Sequence, residues 1–94
     1  MELVAVVKRE CETCKLVEPV LAQIHARAPL ALYSQDDPAF PESLGGATDD
    51  TALERSWQLK VETVPTLIRF EAGREWRLFA KRAVEIKTQS THAL

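Results

Sequence analysis

Leu3-Val4-Ala5-Val6-Val7 is an unbroken apolar run, and it gives way within a few residues to a different periodicity. A run without polar alternation suits a strand covered on both faces, as in parallel or mixed sheets. From Cys11 onward, Leu16, Val17, Val20, Leu21 and Ile24 recur at helical spacing, with Lys15, Glu18, Gln23 and Arg27 on the other side. This pattern predicts an amphipathic helix ending near Pro29. Leu30 to Ser34 is again strand-like. Strand, helix and strand joined by short connections imply a right-handed parallel crossover, so the chain through Ser34 reads as a βαβ unit.

Beyond it, Gln35 to Thr48 carries Asp36, Asp37, Pro38, Pro41, Gly45 and Gly46, a density of breakers expected of a mobile surface loop. Thr51 and Glu54 have the spacing of a capping box, with Leu53 and Trp57 one turn apart, which predicts a second helix from about Asp50 to Leu59. Thr66 to Phe70 and Trp76 to Phe79 are strand-like, and Glu71-Ala72-Gly73-Arg74 between them suits an antiparallel hairpin turn. The tail from Arg82 has no firm stripe, so a short C-terminal helix is the most it predicts.

A chain of 94 residues is expected to form a single domain, with residues 39–48 as a loop and 82–94 as a weakly structured tail. A formal net charge of -2, spread over 12 basic and 14 acidic side chains, builds no field suited to nucleic acid. No stretch has the apolar length of a membrane span, and Leu3 to Val7 lacks the flanks of a secretory signal, so the expected location is the cytoplasm.

The chain has 2 cysteines, too few for the stapling framework of a secreted mini-domain. Cys11-Glu12-Thr13-Cys14 places them three apart at the first turn of a helix, where both sulfurs can lie on one side within disulfide reach. The unpaired amides of a helix start favour an anion there, which makes Cys11 the candidate nucleophile. Cys14 continues into the stripe of Val17, Leu21 and Ile24, so it is the shielded, resolving partner. Glu10 and Glu12 oppose ionisation of the neighbouring sulfurs, and Lys8, Arg9 and Lys15 partly offset them.

Cys11-Glu-Thr-Cys-Lys-Leu-Val-Glu-Pro19 after an apolar strand, followed later by Val64-Pro65-Thr66 before another, resembles the CxxCKxxxP and cis-proline elements of the thioredoxin family. Pro19 matches the proline inside that family's active-site helix, and Gly73 the glycine of its final hairpin. The resemblance covers roughly Leu3 to Phe79. It implies an α/β thioredoxin-like fold: a central mixed sheet, built from the βαβ unit and the hairpin, flanked by helices, with a short or atypical C-terminal helix. It also implies a cis Pro65 and a substrate-binding segment at Val64, Pro65 and Thr66.

The chain departs from the family pattern at Glu10 in place of the usual tryptophan and at Glu12-Thr13 in place of Gly-Pro. It departs again at Ala5, where a buried acid is usual, and near Ala31, where its lysine companion would fall.

The expected function is that of a small thiol-disulfide oxidoreductase, a disulfide reductase working on a protein or small-molecule disulfide and drawing on an unidentified electron donor. It needs no cofactor beyond its own redox-active disulfide and no metal. A redox-inactive or redox-sensing binding module is the alternative that Ala5 and Ala31 favour. A thiolate metal carrier is a third, with only His25 and His92 beyond the cysteines as further ligands of the histidine and cysteine type. His25 is expected on the surface near the helix end, and Trp57 and Trp76 in the core. The weak tail pattern would leave one sheet face undercovered, which leaves room for a homodimer or a companion domain.

Overall fold

The structure is a computed structural model that describes residues 2–79. In chain order it has β1 (Glu2–Val7), α1 (Glu12–Arg27), β2 (Leu30–Ser34), a short 3-10 turn (Glu42–Leu44), β3 (Thr48–Asp49), α2 (Glu54–Gln58), β4 (Thr66–Glu71) and β5 (Arg74–Phe79). The five strands form one sheet in the order β3-β2-β1-β4-β5. β1 runs parallel to β2, with Leu3 opposite Leu30 and Val7 opposite Ser34, and antiparallel to β4, with Val6 opposite Thr66. The expected α/β architecture, a βαβ unit joined to a hairpin in a mixed sheet, is the one found.

β1 occupies the middle of the sheet, which is why its apolar run has no polar alternation. Ala5 and Val7 face a cluster made with Cys14, Val17, Leu21, Leu30, Leu32 and Phe40, whereas Val4 and Val6 face Leu59 and Ile68 on the other side. Of the expected helical stripe, Val17 and Leu21 are buried and Ile24 is half-buried, but Leu16 and Val20 are 59% and 44% exposed. Pro19 lies inside α1, which continues past it to Arg27. The helix stops at Ala28, whose backbone is extended. A residue preceding proline, as Ala28 precedes Pro29, is kept out of the α region by the ring.

Three expectations are corrected. Residues 35–48 are more than a loop: Phe40 and Pro41 are buried, and Thr48–Asp49 pairs in parallel with β2 as an edge strand. Gly46 has φ 87, and a Cβ there would lie 2.6 Å from the Pro38 carbonyl oxygen, so this close return of the loop requires glycine. The second helix spans only Glu54–Gln58, because Leu53 at φ 61 leaves the helical path. Its start is held by Asp50, whose carboxylate accepts from the Arg55 amide at 2.8 Å, the Ser56 amide at 3.0 Å and the Ser56 hydroxyl at 2.6 Å. Trp57 is not in the core; it is 82% exposed on this helix.

The β4–β5 hairpin closes through Ala72 and Gly73, with φ of 53 and 77. Positive φ at both central residues is the geometry that matches the twist of a two-residue hairpin. Trp76 on β5 is half-buried between Arg69 and Arg74, whose guanidinium carbons lie 4.2 and 5.2 Å from the ring centre. His25 is exposed in the last turn of α1. The expected C-terminal helix lies outside the described residues.

Candidate functional site

The two cysteines sit where β1 hands over to α1, at the end of the sheet where β1 and β2 finish and β4 begins. Cys11 is the N-cap of α1: its backbone is extended, and its sulfur accepts the Cys14 amide at 3.1 Å. A helix start leaves its first amides without intrahelical acceptors, and here a sulfur takes one of them. The Cys11 thiol also reaches the Val64 carbonyl oxygen, at 3.8 Å. Cys11 is half-buried and Cys14 is 0% exposed; both are free thiols.

The Val64–Pro65 peptide bond is cis, as is Phe40–Pro41. Pro65 is buried beside the apolar groove formed by Val17, Val20, Leu67 and Leu78. Thr66 is buried, and its hydroxyl donates to the Thr63 carbonyl at 2.6 Å, so this side chain is committed to the bend before β4. The structure therefore brings Cys11, Cys14 and Val64 together, with Pro65 next in the chain. It leaves Glu10, Glu12 and Lys15 exposed around them.

Burial pushes the Cys14 thiol well above its ordinary value of 9.0, and its hydrogen bond with Cys11 adds to the effect. The Lys8 amide, bonded to the Cys14 sulfur, works in the opposite direction. The nearby charge of Asp36 raises it further. A thiol raised in the folded state stays protonated there at pH values where the unfolded chain has lost its proton. That contribution to stability is full below about pH 9 and declines as pH rises toward the folded value. Urea unfolding of the reduced protein at about pH 8 and about pH 10 is expected to show a loss of up to about 1.4 kcal/mol per pH unit that a Cys14→Ala variant does not share. Identical pH dependence in the two proteins would contradict this.

Sequence reasoning missed the loop that backs the site. Arg9 donates through Nε to Asp37 at 2.6 Å and through Nη2 to Glu42, and its guanidinium carbon lies 5.4 Å from the centre of the Phe40 ring. The Ser43 hydroxyl bonds to the Glu18 carboxylate on α1. Asp36 accepts from the Arg9 amide at 2.7 Å and the Glu10 amide at 3.0 Å. The only signal in the sequence was the acidic pair Asp36-Asp37 opposite a lone arginine beside the cysteines, which is indistinguishable from solvated charge until the fold is known.

The mixed sheet with a parallel βαβ unit, a terminal hairpin and a helix starting at a cysteine pair defines a thioredoxin-like fold. Among solved structures, the chain is similar to thioredoxin 1 from the thermophilic eubacterium Thermosipho africanus TCF52B. The TM-score is 0.58 at 19% sequence identity, over 98% of this chain and 93% of that one. At that identity the likeness is one of fold. No family profile matches the sequence, and no curated protein does. Among the described residues no helix is long and apolar enough to cross a membrane, and no three metal-binding side chains cluster.

Proposed function

We propose that the chain is a thiol-disulfide oxidoreductase acting as a disulfide reductase, with Cys11 as nucleophile and Cys14 as resolving thiol. The observation that carries the reading is the Cys11 sulfur at the start of α1, in contact with both the Cys14 amide and the Val64 carbonyl. A nucleophile, its resolving partner and a backbone edge for substrate are thus neighbours.

In the first step the Cys11 thiolate attacks one sulfur of a substrate disulfide. A bond forms to Cys11, the substrate S–S bond breaks, and the departing thiolate takes a proton from water. In the second step Cys14 gives up its proton and its thiolate attacks the Cys11 sulfur. The Cys11–Cys14 bond forms, the mixed disulfide breaks, and the second substrate thiolate leaves and is protonated. The substrate gains two electrons and the chain loses two, which an external dithiol must restore.

The Val64 carbonyl, released when the Cys11 thiol reacts, becomes an acceptor for an extended substrate backbone, with Pro65 beside it and Thr66 fixing the bend. Glu10, Glu12 and Lys15 set the local field. Burial holds the Cys14 thiol in its protonated form, so it has to lose that proton before it can resolve the mixed disulfide. A reducing compartment such as the cytoplasm suits this direction, with protein or small-molecule disulfides as substrates.

The test is insulin reduction with dithiothreitol as donor. Turbidity is expected to develop faster with the protein than without it, and alkylation with mass analysis is expected to find a Cys11–Cys14 disulfide after exposure to excess oxidised glutathione. A rate equal to the uncatalysed background overturns the reading.

A further inference from the structure

We propose that the mouth of the cysteine pair selects cationic disulfides, with Glu10, Glu12 and Glu62 as its specificity-determining residues. The substrate class is a disulfide whose sulfurs lie beside amines or other positive groups. This rests on the reading of the pair as a redox couple.

The selection follows from what a substrate meets on its way to the Cys11 sulfur. Glu10 and Glu12 flank Cys11 in the chain, so their α-carbons lie about 3.8 Å from its own. Glu62 is two residues before Val64, whose carbonyl oxygen lies 3.8 Å from the sulfur. All three glutamates are exposed, and none forms an ion pair among the described residues. Asp36 adds a further anion, since its carboxylate accepts the Glu10 amide at 3.0 Å, one residue from Cys11. Burial opposes that charge, but the amides of Glu10, Arg9 and Asp37 and the Ser34 hydroxyl outweigh it and hold the carboxyl below its ordinary range.

The cations that would cancel this field are fewer, and the nearest in the chain is diverted. The Arg9 guanidinium is turned to Asp37 and Glu42, two carboxylates for one positive charge, and lies over the Phe40 ring. Lys60 is drawn to Glu75 on β5, where Arg77 also bonds. Lys8 and Lys15 remain. Lys8 is half-buried, and Lys15 is one turn along α1 from Cys11, its amide bonded to the Cys11 carbonyl at 3.2 Å. The balance around the sulfur is negative.

Charges this close to the reacting atom act on a substrate inside a Debye length, about 10 Å at 0.1 M salt. They favour the approach of a cation and oppose that of an anion, while the bonds made and broken stay the same: the substrate S–S bond breaks, two thiols leave and the Cys11–Cys14 bond forms. Glu10 and Glu12 are also the positions where the chain departs from the family pattern, so the selectivity is a property of this chain.

The experiment uses three disulfides of nearly equal size at about pH 7.5: cystamine, a dication; hydroxyethyl disulfide, which is neutral; and dithiodipropionate, a dianion. Loss of the reduced chain in an excess of each is followed by acid quenching, alkylation and mass analysis. Each rate is divided by that of mercaptoethanol with the same disulfide, which removes the disulfide's own reactivity. Taking the ratio of cystamine to dithiodipropionate then removes the reactivity of the Cys11 thiol, whatever its ionisation.

At about 20 mM salt this ratio is expected to be at least about tenfold, with hydroxyethyl disulfide in between, and at about 0.5 M salt to approach one. Glu10→Gln combined with Glu12→Gln is expected to lower it at least about threefold, Glu62→Gln to lower it less, and Lys15→Gln to raise it. A ratio near one at low salt, a ratio that salt leaves unchanged, or a double variant as selective as the wild type overturns the proposal. If the double variant fails to fold, the salt series on the wild type decides alone.

A wild type oxidised equally well by all three disulfides loses its selectivity but not its redox chemistry. One in which none of the three produces a Cys11–Cys14 bond defeats the oxidoreductase reading itself, and this proposal with it.

Discussion

Cys11→Ser is expected to lower the rate of insulin reduction by at least about a thousandfold, which corresponds to about 4 kcal/mol of lost transition-state stabilisation. The loss is chemical, because the serine oxygen can still take the structural task of the cysteine sulfur. Cys11 caps α1 by accepting the Cys14 amide, and serine is among the best residues for that position. Thermal unfolding of the variant is therefore expected at or slightly above the temperature of the reduced wild type. Activity and stability part company, which separates loss of a nucleophile from loss of a fold.

Cys14→Ala divides the two steps. It removes a side chain that is 0% exposed and leaves Cys11 in place, so the first attack proceeds and the second cannot. A mixed disulfide between Cys11 and a substrate is expected to accumulate and to be recoverable under non-reducing conditions. Full turnover in Cys14→Ala would remove Cys14 from the mechanism, and full turnover in Cys11→Ser would remove the mechanism.

What could be read from the chain alone divides along the range of the interactions. β1 was legible because burial on both faces requires an apolar residue at every position, and Val4 to Val7 meet that requirement one residue at a time. The first helix was legible in its ends and its period, but the pattern could not say which part of the stripe would be covered. Leu16 and Val20 have the right spacing and remain exposed, since coverage depends on what packs opposite.

β3 was invisible for the same reason. Two residues carry no periodicity, and Thr48 and Asp49 are a strand only because β2 offers them an edge. The attachment of residues 36–43 to the cysteine loop and α1 depends on Arg9, Glu18, Asp36 and Asp37, partners more than twenty positions apart, and surface charges of either sign look alike until they are brought together. The pairing of Cys11 with Val64 spans 53 positions, and only the resemblance to a known motif pointed to it.

Asp50→Ala is expected to reduce stability by about 3 kcal/mol, because it strands several donors at once. The carboxylate is 4% exposed, and it accepts from the Arg55 and Ser56 amides and from the Ser56 hydroxyl. Removing an acceptor from buried donors costs their desolvation as well as the bonds, which is why the effect exceeds that of an ordinary exposed cap. Asp50→Asn keeps one acceptor oxygen and turns an NH2 group toward the remaining donors, so an intermediate loss is expected.

Thr51→Ala is the informative contrast. Its spacing to Glu54 suggests a capping box, which would make it worth about 1 kcal/mol. In the structure the Thr51 amide, at 2.8 Å, and the Thr51 hydroxyl instead bond to the Asp49 carboxylate in an exposed turn, where losing the hydroxyl's solvent-exposed bond costs little, so truncation is expected to fall within about 0.5 kcal/mol of the wild type. Urea unfolding of the three variants checks the ranking. A loss in Thr51→Ala as large as that in Asp50→Ala would return the helix start to the position the capping-box spacing marks. The expected ranking instead places it under Asp50, whose buried carboxylate ties the end of β3 to α2 and so to the segment that leads on to Val64.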